Sequence, residues 1–275
     1  MNIKALCAFA GIACIAAPSM ATPVLYATSG SYMYRIDFGV GLTNDGLPAS
    51  IDSFQLDHSI VSLTAGNNGE LWGTERHDSS QDGNYALYRF DNINSTPVMA
   101  QQGDFLDGPT SSILNVEGEL HGFMDSTKEM ITIDPDTGSY TVIGSYADLP
   151  VSPASSGYDS LTQSAYGIRG TELFRFDLSL ESSFNATKVA DVDFGEIDQG
   201  PMGGEVIDGV YYHANVSGLT MSIFAIDLTT GLTEEVISFE VHEAGATGLA
   251  GFSVPTPGSA ALLALGGLVS TRRRR

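Results

Sequence analysis

The sequence predicts an all-β protein, a five-bladed β-propeller. Three observations predict it. One two-strand phrase recurs five times along the chain. Its copies recur at the period of four-stranded blades. No stretch outside the two chain ends shows a convincing helical period. A six-bladed ring is the alternative, but it needs roughly 40 further residues of repeat.

The phrase is a strand with an aromatic near its start, a turn, and a strand ending in Asp. It reads Leu25-Tyr26-Ala27 with Tyr34-Arg35-Ile36-Asp37, then Leu71-Trp72-Gly73 with Tyr88-Arg89-Phe90-Asp91. Leu120-His121-Gly122 follows with Ile131-Thr132-Ile133-Asp134, and Ala165-Tyr166-Gly167 with Phe174-Arg175-Phe176-Asp177. The last copy is Tyr211-Tyr212-His213 with Phe224-Ala225-Ile226-Asp227. The aspartates lie 54, 43, 43 and 50 residues apart. The second strand alternates apolar and polar residues or is apolar throughout, as a strand packed between blades should be. Its closing Asp opens a tight turn by accepting from backbone amides ahead of it. Asp134-Pro135-Asp136-Thr137-Gly138 and Asp227-Leu228-Thr229-Thr230-Gly231 show this best.

Each blade then needs two more strands. A fourth strand follows each turn, as at 139–143 and 235–239. A first strand precedes the aromatic one, at 60–64, 112–116, 158–163 and 204–207. Asn67-Asn68-Gly69, Glu117-Gly118 and Asp208-Gly209 supply hairpin turns between first and second strands. Blade one has no first strand before Leu25. Residues 246–253 resemble one and have no successor, so they are expected to close the ring beside Leu25. Closure removes an open edge that would invite aggregation.

The ends of the chain read as addresses. Lys4, an apolar stretch at 5–17 and Ser19-Met20-Ala21 form a signal peptide, with cleavage expected before Thr22. The stretch is short for a membrane span. Cys14 is a poor match to a lipoprotein box. At the other end, Val254-Pro255-Thr256-Pro257 precedes an uncharged, mostly apolar run at 258–270 and then Arg272-Arg273-Arg274-Arg275. That order resembles the PEP-CTERM sorting signal of exported bacterial proteins. Thr256 departs from the family's tripeptide, which has Glu there. The resemblance implies an exosortase-type processing enzyme as a partner and a transient inner-membrane stay. It also implies a final place at the cell surface or in the extracellular matrix, with links to exopolysaccharide. The arginines would lie on the cytoplasmic side. The expected organisation is a signal peptide at 1–21, a propeller at 22–253 and the sorting signal at 254–275. The blades also resemble Gly- and Asp-rich bacterial propellers with LYG and IDP-TG phrases. That likeness specifies a fold and no activity.

Composition narrows the function. Of 12 basic residues, five are Lys4 and the terminal arginines, which leaves seven against 33 acids. Such a surface does not suit nucleic acid, whose affinity rests on cations meeting phosphates. Both cysteines, Cys7 and Cys14, lie in the signal peptide, so the rest of the chain has no disulfide and no thiol nucleophile. A monomer held by core burial is expected.

Candidate chemistry concentrates on carboxylates. Asp57, Asp107, Asp159, Asp198 and Glu243 are expected in the loops that enter the five first strands, at one mouth of the channel. There they could hold Ca²⁺ through oxygen ligands, bind sugar hydroxyls, or act as paired acids on a glycoside. The plainer reading is that Asp begins loops because it makes turns. The repeated aromatics, Tyr26, Trp72, His121, Tyr166 and Tyr212, suit packing between blades more than sugar stacking. His58 and His242 neighbour acids, but His58, His77, His213 and His242 show no metal spacing. No nucleophile elbow or phosphate loop occurs. Arg35, Arg89 and Arg175 are expected to pair with a neighbouring blade's acids. Three sequons, at Asn94, Asn185 and Asn215, are discounted on the bacterial reading. The leading function is a non-enzymatic, exported binding or structural propeller. The alternative is a secreted hydrolase, a glycosidase or lactonase, using mouth carboxylates.

Overall fold

A computed structural model describes residues 22–38, 50–75, 85–106, 110–124, 127–146, 155–178, 185–195, 202–245 and 247–254. These residues form five antiparallel four-stranded sheets and no helix. The six-bladed alternative is excluded.

Blade one is the sheet β20-β1-β2-β3, from β1 (Thr22–Ser29), β2 (Tyr32–Asp37), β3 (Ser50–Gln55) and β20 (Leu249–Val254). Blade two holds β4 (Ile60–Ala65), β5 (Leu71–Glu75), β6 (Tyr85–Asp91) and β7 (Val98–Leu106). Blade three holds β8 (Thr110–Val116), β9 (Glu119–Met124), β10 (Glu129–Ile133) and β11 (Tyr140–Ser145). Blade four holds β12 (Ser156–Asp159), β13 (Ser164–Arg169), β14 (Glu172–Asp177) and β15 (Asn185–Asp191). Blade five holds β16 (Met202–Ile207), β17 (Val210–Ser217), β18 (Thr220–Asp227) and β19 (Thr233–Glu240).

The ring closes as the sequence predicts. β20 pairs antiparallel with β1, from Thr22 opposite Val254 to Ala27 opposite Leu249. The innermost strands β20, β4, β8, β12 and β16 each touch the next, and β16 returns to β20. Small polar side chains stitch these strands. Ser62 Oγ accepts from Ile113 N–H at 2.9 Å, and Thr64 Oγ1 from Asn115 N–H at 3.1 Å. Gly248 N–H donates to Thr28 Oγ1 at 2.8 Å, which ties β20's entry to β1. The approach is so close that a Cβ on Gly157 would overlap the backbone nitrogen of Val206. Only glycine fits there.

The apolar core lies between the blades. Leu25, Ile36, Leu249 and Phe38 of blade one pack with Ile207, Met221 and Ile223 of blade five. Tyr26, Met33 and Ala250 pack with Ile60, Leu71 and Phe90 of blade two. Such burial stabilises by about 25 cal/mol per Å² of apolar surface.

Local chemistry explains the turns. Asp134 Oδ1 accepts from Asp136 N–H at 2.9 Å and Thr137 N–H at 3.3 Å. Asp227 Oδ1 accepts from Thr229 N–H at 3.0 Å, Thr230 N–H at 2.7 Å and the Thr230 hydroxyl at 2.8 Å. These donors hold both carboxyls below their ordinary range. In the hairpin of blade five, Asp208 (φ 51°) and Gly209 (φ 78°) take the left-handed conformations that a two-residue connection needs.

Three expectations are corrected. The first strand of blade four is Ser156–Asp159, and residues 160–163 are turn rather than strand. Asp159 ends the strand by accepting from Leu161 N–H (3.1 Å), Thr162 N–H (3.3 Å) and the Thr162 hydroxyl (2.7 Å). Asp159 is therefore not in the loop that enters β12. Arg35 and Arg89 bond within their own blades. Arg35 reaches Asp37 at 2.9 Å and Asp52 at 3.5 Å, and Arg89 reaches Asp91 at 3.3 Å. Residues i and i+2 share one face of a strand, so the phrase's own Asp is the nearest partner. Across the ladder each repeated arginine faces a repeated aromatic: Tyr26 opposite Arg35, Trp72 opposite Arg89, Tyr166 opposite Arg175. Tyr26, Trp72, His121 and Tyr166 are buried, and Tyr212 is half-buried.

Candidate functional site

The two ends of the channel differ. Where the first strands begin, Ser62, Ser112, Ser155, Gly203, Gly204 and Gly248 close together and leave no water-sized space. Where those strands end, a cavity of about 550 Å³ opens beside the hairpins that lead to the second strands. All five innermost strands or their hairpins contribute to it: Ala65 and Asn67, Asn115 and Glu117, Tyr158 and Ser160, Glu205 and Asp208, Phe252 and Ser253.

Glu205 is the distinctive member. It sits in the middle of β16 and is 7% exposed. Thr64 donates its hydroxyl to Glu205 Oε2 at 3.2 Å, and Ala65 N–H donates to the same oxygen at 3.4 Å. Val206 N–H donates to Oε1 at 3.1 Å. Burial disfavours the ionised form and pushes this carboxyl up to about 8, although the bonds from Val206, Ala65, Thr64 and the Tyr158 amide oppose the shift. Glu205 is thus largely neutral at pH 7. On the rim, Glu117 Oε1 accepts from Gln163 Nε2 at 3.1 Å and from the Tyr158 hydroxyl at 3.4 Å. Asn115 is fixed by its own bonds: Nδ2 donates to Ala65 O and Oδ1 accepts from Gly118 N–H.

Of the carboxylates expected in the entry loops, Asp57, Asp159 and Glu243 do not line this cavity. Asp57 is exposed in the β3–β4 connection. Glu243, in the β19–β20 connection, accepts from Ser31 N–H at 3.1 Å and the Ser31 hydroxyl at 2.8 Å, and these donors lower its pKa. Both lie toward the constricted end. Asp159 caps its own turn. Asp107 and Asp198 lie outside the described residues, as do Pro255, Thr256, Pro257 and the four arginines. Among the described residues, no three His, Cys, Asp or Glu side chains gather in a way that could hold a metal ion.

His58, His213 and His242 find partners other than their sequence neighbours, and His77 lies outside the described residues. His58 Nδ1 meets Glu75 Oε1 at 2.8 Å, not Asp57, and the Tyr88 hydroxyl donates to Glu75 Oε2 at 2.8 Å. His242 Nε2 lies 3.2 Å from Ser53 Oγ. His213 is fully buried, with Nδ1 3.2 Å from Ser155 Oγ and its ring stacked 4.8 Å from Phe194. Burial pushes its pKa down to about 3.

Sequence reasoning missed Glu205. Its signal was present. The innermost strands carry Ser62 and Thr64, Ser112 and Asn115, and then, in Gly203-Gly204-Glu205-Val206-Ile207, an acid. A lone carboxylate in a strand that must face the ring axis is itself informative.

No protein-family model matches the chain, and no curated protein matches it. Solved structures do resemble it. A chain of a nidogen/laminin complex aligns with a TM-score of 0.55 at 12% identity, over 85% of this chain and 100% of that chain. A protein of unknown function from Bacteroides caccae gives 0.44 at 13% identity, over 84% and 99%. A putative oxidoreductase (glucose dehydrogenase) from Thermus thermophilus gives 0.43 at 10% identity, over 81% of each chain. At such identities the first likeness supports the fold and nothing further.

Proposed function

We propose that the chain is an exported, non-enzymatic binding propeller whose ligand occupies the cavity at the hairpin mouth. The observation that carries this reading is the cavity: about 550 Å³, polar-walled, formed by all five blades and stopped at its inner end. Sites of this kind occur where repeated elements converge, with a few placed polar groups. Export rests on the signal-peptide pattern before Thr22 and on the tail that resembles a PEP-CTERM signal. Cell-surface or matrix placement, an exosortase-type partner and a polysaccharide or surface-protein ligand follow from the same resemblance.

The binding reading is tested by screening purified protein on a glycan array. Retained glycans should be lost when Ser253→Trp fills the cavity rim, at an unchanged melting temperature. Retention that survives this change would place the ligand elsewhere. The sorting reading is tested by mass spectrometry of the exported form from its native host. The expected C-terminus lies near Pro255–Pro257, and an intact Arg275 would contradict it.

One observation favours a second reading. A buried acid held neutral near pH 7 can serve as a general acid, and Glu205 borders a cavity with Glu117 and Asp208. In a glycosidase, one such acid would protonate the leaving oxygen while a second carboxylate assisted. Chromogenic glycosides and lactones decide between the readings. Turnover abolished by Glu205→Gln would replace binding with hydrolysis.

A further inference from the structure

This inference rests on the cavity being the ligand site and concerns what the ligand carries. Glu117, Glu205 and Asp208 border the cavity, and none of the side chains lining it is basic. Among the described residues Glu205 forms no ion pair. Its partners are neutral donors, the Thr64 hydroxyl and the amides of Ala65, Val206 and Tyr158. A buried carboxylate without a countercharge is costly once ionised. A glutamine there could keep much of the bonding without that cost. The position therefore suits a ligand that brings the positive charge itself.

The chemistry of that charge can be narrowed. Hard cations such as Ca²⁺ take about six to eight oxygen ligands, and the described residues gather no metal-holding group. An ammonium needs only about three acceptors for its three donors. The remaining walls fit a hydroxylated body. Asn67, Ser160 and Ser253 offer amide and hydroxyl groups, and Tyr158 and Phe252 offer ring faces.

We propose that the cavity binds an amine-bearing saccharide, with the sugar's free ammonium seated on Glu205. Binding couples to a proton. The O–H bond of neutral Glu205 breaks, the proton leaves to buffer, and the carboxylate so formed pairs with the ammonium. Around Glu205, Glu117 and Asp208 on the rim add negative charge, and buried Tyr211, whose hydroxyl bonds Ser155, stays neutral at this pH.

Calorimetry of the purified protein tests this, with the β-1,4 glucosamine disaccharide against its di-N-acetylated counterpart. At pH 7 the free amine should bind roughly tenfold tighter or better, about 1.4 kcal/mol. Titration in two buffers of different ionisation heat should show a net proton release of less than one, because the fraction of sugar amine that is free base at pH 7 takes up part of the proton that Glu205 gives up. Glu205→Gln should bring the two sugars within about threefold of each other and abolish the release. The melting temperature of Glu205→Gln at pH 5, where Glu205 itself is neutral, checks that the variant folds. Equal affinities, or tighter binding of the acetylated sugar, overturn the amine. If that neutral binding is lost in Ser253→Trp, the cavity remains the site and only the amine inference fails. If binding of both sugars survives Ser253→Trp, the cavity reading fails with it. No binding of either sugar also overturns the amine inference, and the glycan array then judges the cavity alone.

Discussion

Truncation after Gly248 is expected to abolish cooperative folding, whereas truncation after Val254 should leave the melting temperature nearly unchanged. The two products differ by one strand of six residues, β20. That strand pairs along β1 from Thr22 to Ala27, and its Leu249 and Ala250 are fully buried. It also fills the place between β16 and β4 in the inner ring. Its loss would open β1 as an edge and uncover the apolar faces around Leu25, Ile207 and Ile60. Deleting one large buried side chain alone costs about 2–5 kcal/mol, and whole domains hold only about 5–15 kcal/mol. Thermal melts followed by near-UV circular dichroism check it. A cooperative transition within a degree or two of the longer product would mean that the ring does not depend on β20. Addition of a peptide spanning 249–254 should restore folding by strand addition.

The ring was legible because a propeller repeats its physics. Each blade needs a buried strand, a tight turn and a solvated edge, so Asp, Gly and aromatics recur in the same order. The orphan strand near Leu249 was legible because blade one lacked a partner for Leu25. Blade four misled because the repeat calls for a first strand ahead of Ala165, and that strand was expected over 158–163. Asp159 diverts the amides of Leu161 and Thr162 to its own carboxylate, and strand pairing ends there. A side chain that competes for backbone donors is invisible to periodicity.

The site was less legible because position around a ring axis is set by tertiary packing. Carboxylates in the entry loops draw attention, yet Asp159 serves its own turn and Glu243 takes donors from Ser31. Which end of the channel is open depends on where backbones come closest. Here the serines and glycines at the start of the first strands close one end. The buried acid at the open end, Glu205, sits within a strand, where a scan of loops does not look. His58 taught the same lesson. Its partner Glu75 lies 17 residues away at the end of β5, while Asp57 beside it is exposed to solvent.

Replacing Glu205 by Gln is expected to stabilise the protein at alkaline pH and to do little at pH 5. The carboxyl has a folded value of about 8 against an ordinary 4.5, chiefly because burial penalises its charge. A group raised in this way gives its full stability below about pH 4.5. That stability is lost as pH rises through about 8, since folding must then hold an ionised carboxylate in a dry place. The loss amounts to roughly 3–5 kcal/mol. For a propeller of this size that corresponds to about 6–20 °C in melting temperature. The glutamine side chain cannot ionise, so the difference between variant and wild type isolates this one group. It should be near zero at pH 5, grow from pH 5 to 8, and level off by pH 9. His213 acts in the opposite direction: its value of about 3 lies below the ordinary 6.5, so its contribution is present above pH 6.5 and lost as pH falls. Both proteins share that acid limb, and it cancels in the comparison. Parallel melting curves from pH 5 to 9, with a constant offset, would show that Glu205 titrates like an exposed acid. The cavity would then hold an ordinary carboxylate, and the proton coupled to ligand binding would have no source.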